Sequence, residues 1–324
     1  MKKTCIVTGA SGFIGHHLCK KLLQNGNRVI AIDIDPWNKF TNVIYFTFFM
    51  QWDLTKESSW KSIISYLSDS KDVEIYQLAC KMGGAGFIFT GNNDAEIMSE
   101  SAMINLLCAQ CARQNGWKVF LSSSACIYPS FNQTDPDNPN CEENSSYPAN
   151  PDSEYGWEKL FSERLYLAFH RNYNLDIRIA RLHNIFGPEG TFQGGKEKAP
   201  AAICRKVAQA KDGDTIEIWG PGKQTRSFLY IDECLEGIEN LMNSNFTGPV
   251  NIGSEEMISI NNLTKMIIKI SGKKLNIKNI EGPVGVMGRN SCNKLIQEKL
   301  GWKPSRSLED GIKMTYEWIQ NQVI

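Results

Sequence analysis

A β-rich run at residues 4–7 stops at Thr8-Gly9-Ala10-Ser11-Gly12-Phe13-Ile14-Gly15, and residues 13–23 then carry helical periodicity to a stop at Asn25-Gly26. Strand, glycine turn and helix, met in that order, constrain the fold more than anything else in the chain. Gly9 permits a tight turn. Gly12 lets backbone N–H groups approach a pyrophosphate at the positive end of the helix, and Gly15 lets helix and strand pack closely. Alone, the spacing also suits an ordinary strand-to-helix loop. A second apolar run, residues 28–33, ends in Asp33 at the ~20-residue spacing expected of a dinucleotide fold. That carboxylate can accept both hydroxyls of an adenosine ribose and would repel a 2'-phosphate, so the expected cofactor is NAD, with Gly9, Ser11, Gly12, Phe13, Ile14, Gly15 and Asp33 as its cradle.

The units that follow repeat the alternation. A strand is expected at 43–49, a helix at 57–67 and a strand at 73–79, which predicts an α/β protein with a Rossmann-type, doubly wound parallel sheet. Cys80-Lys81-Met82-Gly83-Gly84-Ala85-Gly86 then breaks all periodicity, as a loop does where backbone must approach a ligand. A long helix at 94–114 contains Cys108 and Cys111, which no second pair completes into a zinc site, so both are expected to be core. With 35 basic and 35 acidic residues and no run of like charge, nothing points to nucleic acid or a membrane surface. No apolar stretch approaches the ~18 residues of a membrane span. No leader is expected ahead of the first strand, and ten cysteines without framework spacing suit a reducing compartment, the cytoplasm.

The chemistry concentrates in the middle. A buried-strand pattern at 117–121 runs into Ser122-Ser123-Ser124-Ala125-Cys126-Ile127-Tyr128-Pro129. About thirty residues on, Tyr155-Gly156-Trp157-Glu158-Lys159 sets a phenol and an ammonium at i and i+4, on one helix face. By itself such a pair is most often an amphipathic surface. After a glycine loop, an acid and a serine-rich strand end, it resembles the short-chain dehydrogenase/reductase superfamily. That likeness implies Tyr155 as acid/base, Lys159 favouring its phenolate and reaching the nicotinamide ribose, Ser124 aligning a substrate hydroxyl and Asp53 meeting the adenine amino group. Residues 130–151 are loop by composition. His183 has no partner pattern and reads as structural.

Further segments narrow the likeness: Met82-Gly83-Gly84, residues 191–202 with Gly-Gly-Lys-Glu-Lys-Ala-Pro, residues 219–228, residues 250–257 and Gly288-Arg289-Asn290-Ser291. With Ser-Ala-Cys-Ile-Tyr-Pro they resemble the GDP-mannose 3,5-epimerases over nearly the whole chain. The resemblance implies oxidation at the sugar C4, enolisation, and inversion at C3 and/or C5 by Cys126 and Lys198, one as base and the other as acid. It also implies a GDP-sugar held by Met82, Gly83, Gly84, Asn184, Lys198, Arg226 and Arg289. Residues 1–182 would bind NAD and 183–324 mainly the nucleotide-sugar. A homodimer is expected through helices around 94–114 and 152–172. Lys81, Ala85 and Met287 depart from the family pattern at positions expected to line the sugar pocket or its rim, which leaves mannose, a modified hexose or a heptose open. A 4-epimerase would not need Cys126 or Lys198. A 4,6-dehydratase would carry an acidic pair where Ala125-Cys126 stand, a non-catalytic NAD-binding protein would tend to lack the Tyr155/Lys159 pair, and a 4-oxidase stays open.

Overall fold

The computed structural model describes residues 3–37 and 43–323. The first half runs β1 (Thr4–Thr8), α1 (Phe13–Gln24), β2 (Arg28–Asp33), β3 (Phe48–Gln51), α2 (Glu57–Tyr66), β4 (Val73–Gln77), α3 (Ala85–Ile88), α4 (Asp94–Asn115), β5 (Lys118–Ser124), α5 (Glu154–Tyr173) and β6 (Ile177–Leu182). The second half continues with β7 (Ile185–Phe186), α6 (Ala199–Gln209), β8 (Thr215–Trp219), β9 (Thr225–Ser227), β10 (Leu229–Tyr230), α7 (Ile231–Met242) and β11 (Val250–Ile252). It closes with β12 (Met257–Ser259), α8 (Ile260–Ser271), β13 (Asn276–Ile280), β14 (Gly288–Arg289), α9 (Lys294–Leu300) and α10 (Leu308–Val323).

Seven parallel strands in the order β11-β6-β5-β4-β1-β2-β3 form the main sheet. β1, β4 and β6 are buried along their whole length, as a sheet covered by helices on both faces requires. β11 enters this sheet from the second half, beside β6, so the chain crosses back into the first layer after building small sheets elsewhere. One apolar cluster spans Cys5, Val29, Phe120 and Ile252 together with Ile203, Leu263 and Ile312, so a single core runs beneath both halves.

Two local expectations shift. The strand expected at 43–49 begins only at Phe48, because Tyr45 and Phe46 turn their rings onto His16 and Trp37 and leave the ladder to residues 48–51. β5, by contrast, extends through the three serines, each paired with β6. Cys108 and Cys111 are buried in the core.

Candidate active site

The site grows from the carboxyl ends of β1, β4, β5 and β6, where a parallel sheet presents its ligand crevice. At β1, Gly9 adopts φ +67°, and a Cβ on Gly15 would lie 2.1 Å from the Gly9 carbonyl oxygen. Only glycines allow this approach. α1 starts at Gly12 with no side-chain cap and no acid in its first turn, so its leading N–H groups and its positive end face an exposed loop. That arrangement fits a pyrophosphate. Asp33 sits across from it, accepting the Ser11 N–H at 2.8 Å and the Asp35 N–H at 3.0 Å, while burial pushes its carboxyl up from the ordinary range. Asp53 accepts both the N–H and the hydroxyl of Thr55, contacts that pull its carboxyl down.

At β5 the last serine turns the chain. The Ser124 hydroxyl accepts the Cys126 N–H at 3.2 Å, capping a short 3-10 turn, Ala125–Ile127, that leaves Cys126 partly open to the cleft. α5 begins against that turn, with Ser153 accepting the Gly156 N–H. A Cβ on Gly156 would lie 2.2 Å from the Cys126 carbonyl oxygen, so glycine here lets Tyr155 come up against Ser124 and Cys126. Tyr155 is buried beside Ser124 and Cys126. Burial pushes its phenol well above the usual range, the thiols of Cys80 and Cys126 add to this, and Ser124 opposes it.

Lys159 is buried one turn further on. Its amine donates to the Ser122 carbonyl at 3.0 Å, lies 4.0 Å from Glu158, and sits within electrostatic reach of the Cys80 thiol. Burial lowers its pKa, but Cys80 and Glu158 outweigh that and hold the ammonium charged. Glu158 in turn accepts from Asn105 and Ser162, which fixes the α5 face against α4.

Two loops distant in sequence bring up Lys198. The Gly84 N–H donates to the Lys196 carbonyl at 3.1 Å, and a Cβ on Gly84 would lie 2.5 Å from the Glu197 carbonyl oxygen. Met82 packs in the same apolar patch as Tyr155, Cys80 and Cys126. Lys198 itself keeps an exposed surface, yet protein crowds its ammonium enough to pull its pKa below the usual lysine value.

Arg289 closes the opposite wall. It is 6 % exposed, and its guanidinium donates to Gln133 Oε1 at 2.5 Å, to Cys126 Sγ at 3.1 Å and to Asp152 Oδ2 at 3.2 Å. Arg226 donates to the carbonyls of Thr225, Val284 and Val286, and burial together with repulsion from Arg289 draws it down to about 10. Asn184, at φ +43°, donates to the Ser227 carbonyl at 3.0 Å. The catalytic candidates therefore converge, while the diphosphate candidates Arg226 and Arg289 already hold protein partners.

Some participants escaped the motif reading. Cys80, Gln133 and Asp152 hold Lys159 or Arg289, and none lies in a spacing pattern that marks it. The Lys81 amine pairs with Glu96 at 3.1 Å and Glu100 at 3.4 Å on α4. The side chain is thus tied to a helix surface by two carboxylates. Met287 donates its N–H to the Gln133 carbonyl, beside Arg289, and the side chain of Ala85 lies outside the described residues. His183 is fully buried on Asn251, away from proton transfer.

Residues 5–253 match the model of the NAD dependent epimerase/dehydratase family. The chain is 43 % identical to GDP-mannose 3,5-epimerase of Arabidopsis thaliana over 318 residues, covering 98 % of this chain and 82 % of that one. It shows the same identity and coverage to GDP-mannose 3,5-epimerase 1 of Oryza sativa subsp. indica. UDP-glucuronic acid decarboxylase 6 of Arabidopsis thaliana is 29 % identical over 321 residues, covering 96 % of this chain and 87 % of its own. Among solved structures, UDP-glucuronic acid 4-epimerase from Bacillus cereus, bound to UDP-glucuronic acid and NAD, superposes with TM-score 0.82 at 26 % identity, covering 98 % of this chain and 99 % of that one. UDP-glucose 4-epimerase of Thermotoga maritima shares the fold with TM-score 0.84 at 24 % identity, covering 99 % and 100 %.

Proposed function

The chain belongs to the NAD-dependent epimerase/dehydratase family, and within it to the GDP-mannose 3,5-epimerases, and from that premise we propose that it inverts C3 and/or C5 of a GDP-mannose-like sugar. The observation that carries this reading is that separate segments bring Tyr155 and Cys126 into one apolar patch and Lys198 within electrostatic reach of Cys126. A 4-epimerase has no use for the second pair.

NAD is the cofactor, held by Gly9, Ser11, Gly12, Phe13, Ile14 and Gly15 at the pyrophosphate, Asp33 at the ribose, Asp53 at the adenine, and Tyr155 with Lys159 at the nicotinamide ribose. It supplies reversible two-electron oxidation at C4. Ser124 orients the C4 hydroxyl, and Tyr155 Oη takes its proton. Nearby positive charge, including the Lys159 ammonium, lowers the cost of phenolate in the loaded site. The 4-ketone acidifies the hydrogens on C3 and C5. Cys126 Sγ, which already accepts a hydrogen bond from Arg289, removes a ring proton on one face. Lys198 Nζ returns one on the other face, its lowered pKa suiting proton transfer near neutrality. Arg226 and Arg289 exchange part of their carbonyl and carboxylate contacts for the diphosphate. Residues 1–182 serve mainly the cofactor and 183–324 mainly the nucleotide-sugar.

Exposed Met103 on α4 and Trp157 and Phe161 on α5 form the apolar face of a proposed homodimer, which sedimentation of the purified chain would read as twice the monomer mass. No helix among the described residues is long and apolar enough to cross a membrane, and all ten cysteines are free thiols, which supports a reducing, cytoplasmic setting.

Incubation with GDP-mannose in deuterium oxide tests the central claim. Deuterium at C3 or C5, with galactose- or gulose-configured product, is expected. Absence of exchange in NAD-loaded protein that binds the sugar nucleotide would sink it.

A further inference from the structure

Beside the cofactor loop, at the start of α1, lies a cluster that the proposed reaction does not use. His16 and His17 stand in α1, and Glu189 follows β7, yet one nitrogen of each ring and a carboxylate oxygen all fall within 4.8 Å of one another. His16 Nε2 meets Glu189 Oε2, and His17 Nε2 faces the Pro188 carbonyl at 3.0 Å. Two imidazoles, a carboxylate and a carbonyl thus converge from segments more than 170 residues apart in sequence.

We propose that His16, His17, Glu189 and the Pro188 carbonyl form a divalent metal site, of Zn²⁺ type. Imidazole nitrogens select borderline transition ions over the hard Ca²⁺ and Mg²⁺, and two histidines with one carboxylate are a regular zinc donor set. Three further observations point to a ligand here. His16 is fully buried, and its Nδ1 has no partner among the described residues, a deficit that calls for an explanation in a packed interior. Glu189 adopts φ +61°, a left-handed conformation unfavourable to a non-glycine residue, and thereby carries its carboxylate to the rings. Aromatic rings surround the cluster: Trp37 and Tyr45 lie 5.6 and 5.4 Å from His16, and Phe13 lies 5.3 Å from His17. Such a wall keeps the dielectric low and favours a coordinated ion over hydrated donors.

The ion would join two parts of the catalytic apparatus. α1 presents the pyrophosphate-binding turn, and the chain from Glu189 leads through buried Phe192 to Lys198. A metal at their junction would fix the start of the Lys198 loop to the cofactor helix.

The test uses the full, tag-free chain after chelator treatment, with Zn²⁺ and Co²⁺ as probes. One Zn²⁺ per chain by elemental analysis and titration calorimetry is expected. The Co²⁺ derivative should show visible bands of nitrogen and oxygen ligation without the near-ultraviolet sulfur-to-cobalt band that any of the ten thiols would produce. Glu189→Gln and His17→Gln should each weaken the metal by about 100-fold while circular dichroism stays unchanged. Should one variant fail to fold, the other and the wild-type stoichiometry still decide. No stoichiometric binding, a thiolate spectrum, or undiminished affinity in a folded variant would each overturn the proposal and leave His16–Glu189 a hydrogen bond.

Discussion

The proposed cofactor cradle and the proposed sugar-side cleft are built by different means. The cradle is backbone: three glycines, an uncapped helix end and one carboxylate lie within the β1-α1-β2 unit. The cleft is side chains: Cys126 from the turn after β5, Tyr155 from α5, Lys198 before α6 and Arg289 from β14. The cradle needs only local geometry, which follows from chain stereochemistry once glycine stands at the crowded positions. The cleft needs long-range packing to bring its charges together, and each must find a partner while it waits for substrate. Arg289 does so with Cys126, Gln133 and Asp152, and Lys159 does so with Ser122, Glu158 and Cys80. A family can therefore keep the first region and vary the second.

The sharpest way to break this comparison is at Tyr155, where the two regions meet. Tyr155→Phe should lower turnover by about 10³-fold, because the phenol is the group proposed to take the hydroxyl proton, while retained NAD, read by absorbance after denaturation, stays near wild type. Loss of both would mean that the phenol supports the cradle as well. A smaller effect separates the regions themselves. In Gly84→Ala the new methyl meets the Glu197 carbonyl, so the Lys198 loop must move. Deuterium exchange at the ring carbons should fall about 100-fold with cofactor retention intact. Gly15→Ala, whose methyl would enter the Gly9 carbonyl, should do the reverse and lose NAD first. If the two variants behave alike, the division into cradle and cleft has no functional content.

The same contrast explains what could be read from residue order. The cradle was legible because glycine spacing and the acid after β2 are local, and Tyr155 with Lys159 was legible because i and i+4 share a helix face. Ser124 and Cys126 followed from the end of β5. Gly84 was expected to face a ligand, but its contact with Lys196 and Glu197 depends on where a loop more than a hundred residues later returns. Cys80 lies in a glycine-dense loop, and nothing local indicates that α5 turns Lys159 toward it. Lys81 was expected at the sugar pocket or its rim because it departs from the family pattern there. The Glu96 and Glu100 pair that captures it depends on how α4 folds back over the loop, a tertiary fact. β3 started late because Tyr45 was claimed by His16 of α1 and Phe46 by Trp37, a competition between packing and ladder that strand patterning does not see.

A last prediction concerns the floor beneath the cleft. His183 Nε2 shares Asn251 Oδ1 with the Tyr128 hydroxyl, while Asn251 donates to the carbonyls of Cys141 and Cys292. Burial lowers the His183 pKa to about 3, Asn251 opposes this, and Arg289 and Arg181 reinforce it. The unfolded chain has an ordinary histidine near 6.5. Between those values the unfolded state binds a proton that the folded state refuses, so stability is whole above about 6.5 and declines as pH falls toward 3. At about 1.4 kcal/mol per pH unit, the loss from this one group between pH 6.5 and 5 reaches about 2 kcal/mol. Denaturant midpoints at pH 7 and pH 5 should therefore differ more in the wild type than in His183→Asn, which cannot take up the proton. An equal difference in both would show that the imidazole accepts its proton inside the fold. The floor of the cleft would then yield to charge where the buried Arg181 and Arg289 beside it predict that it resists.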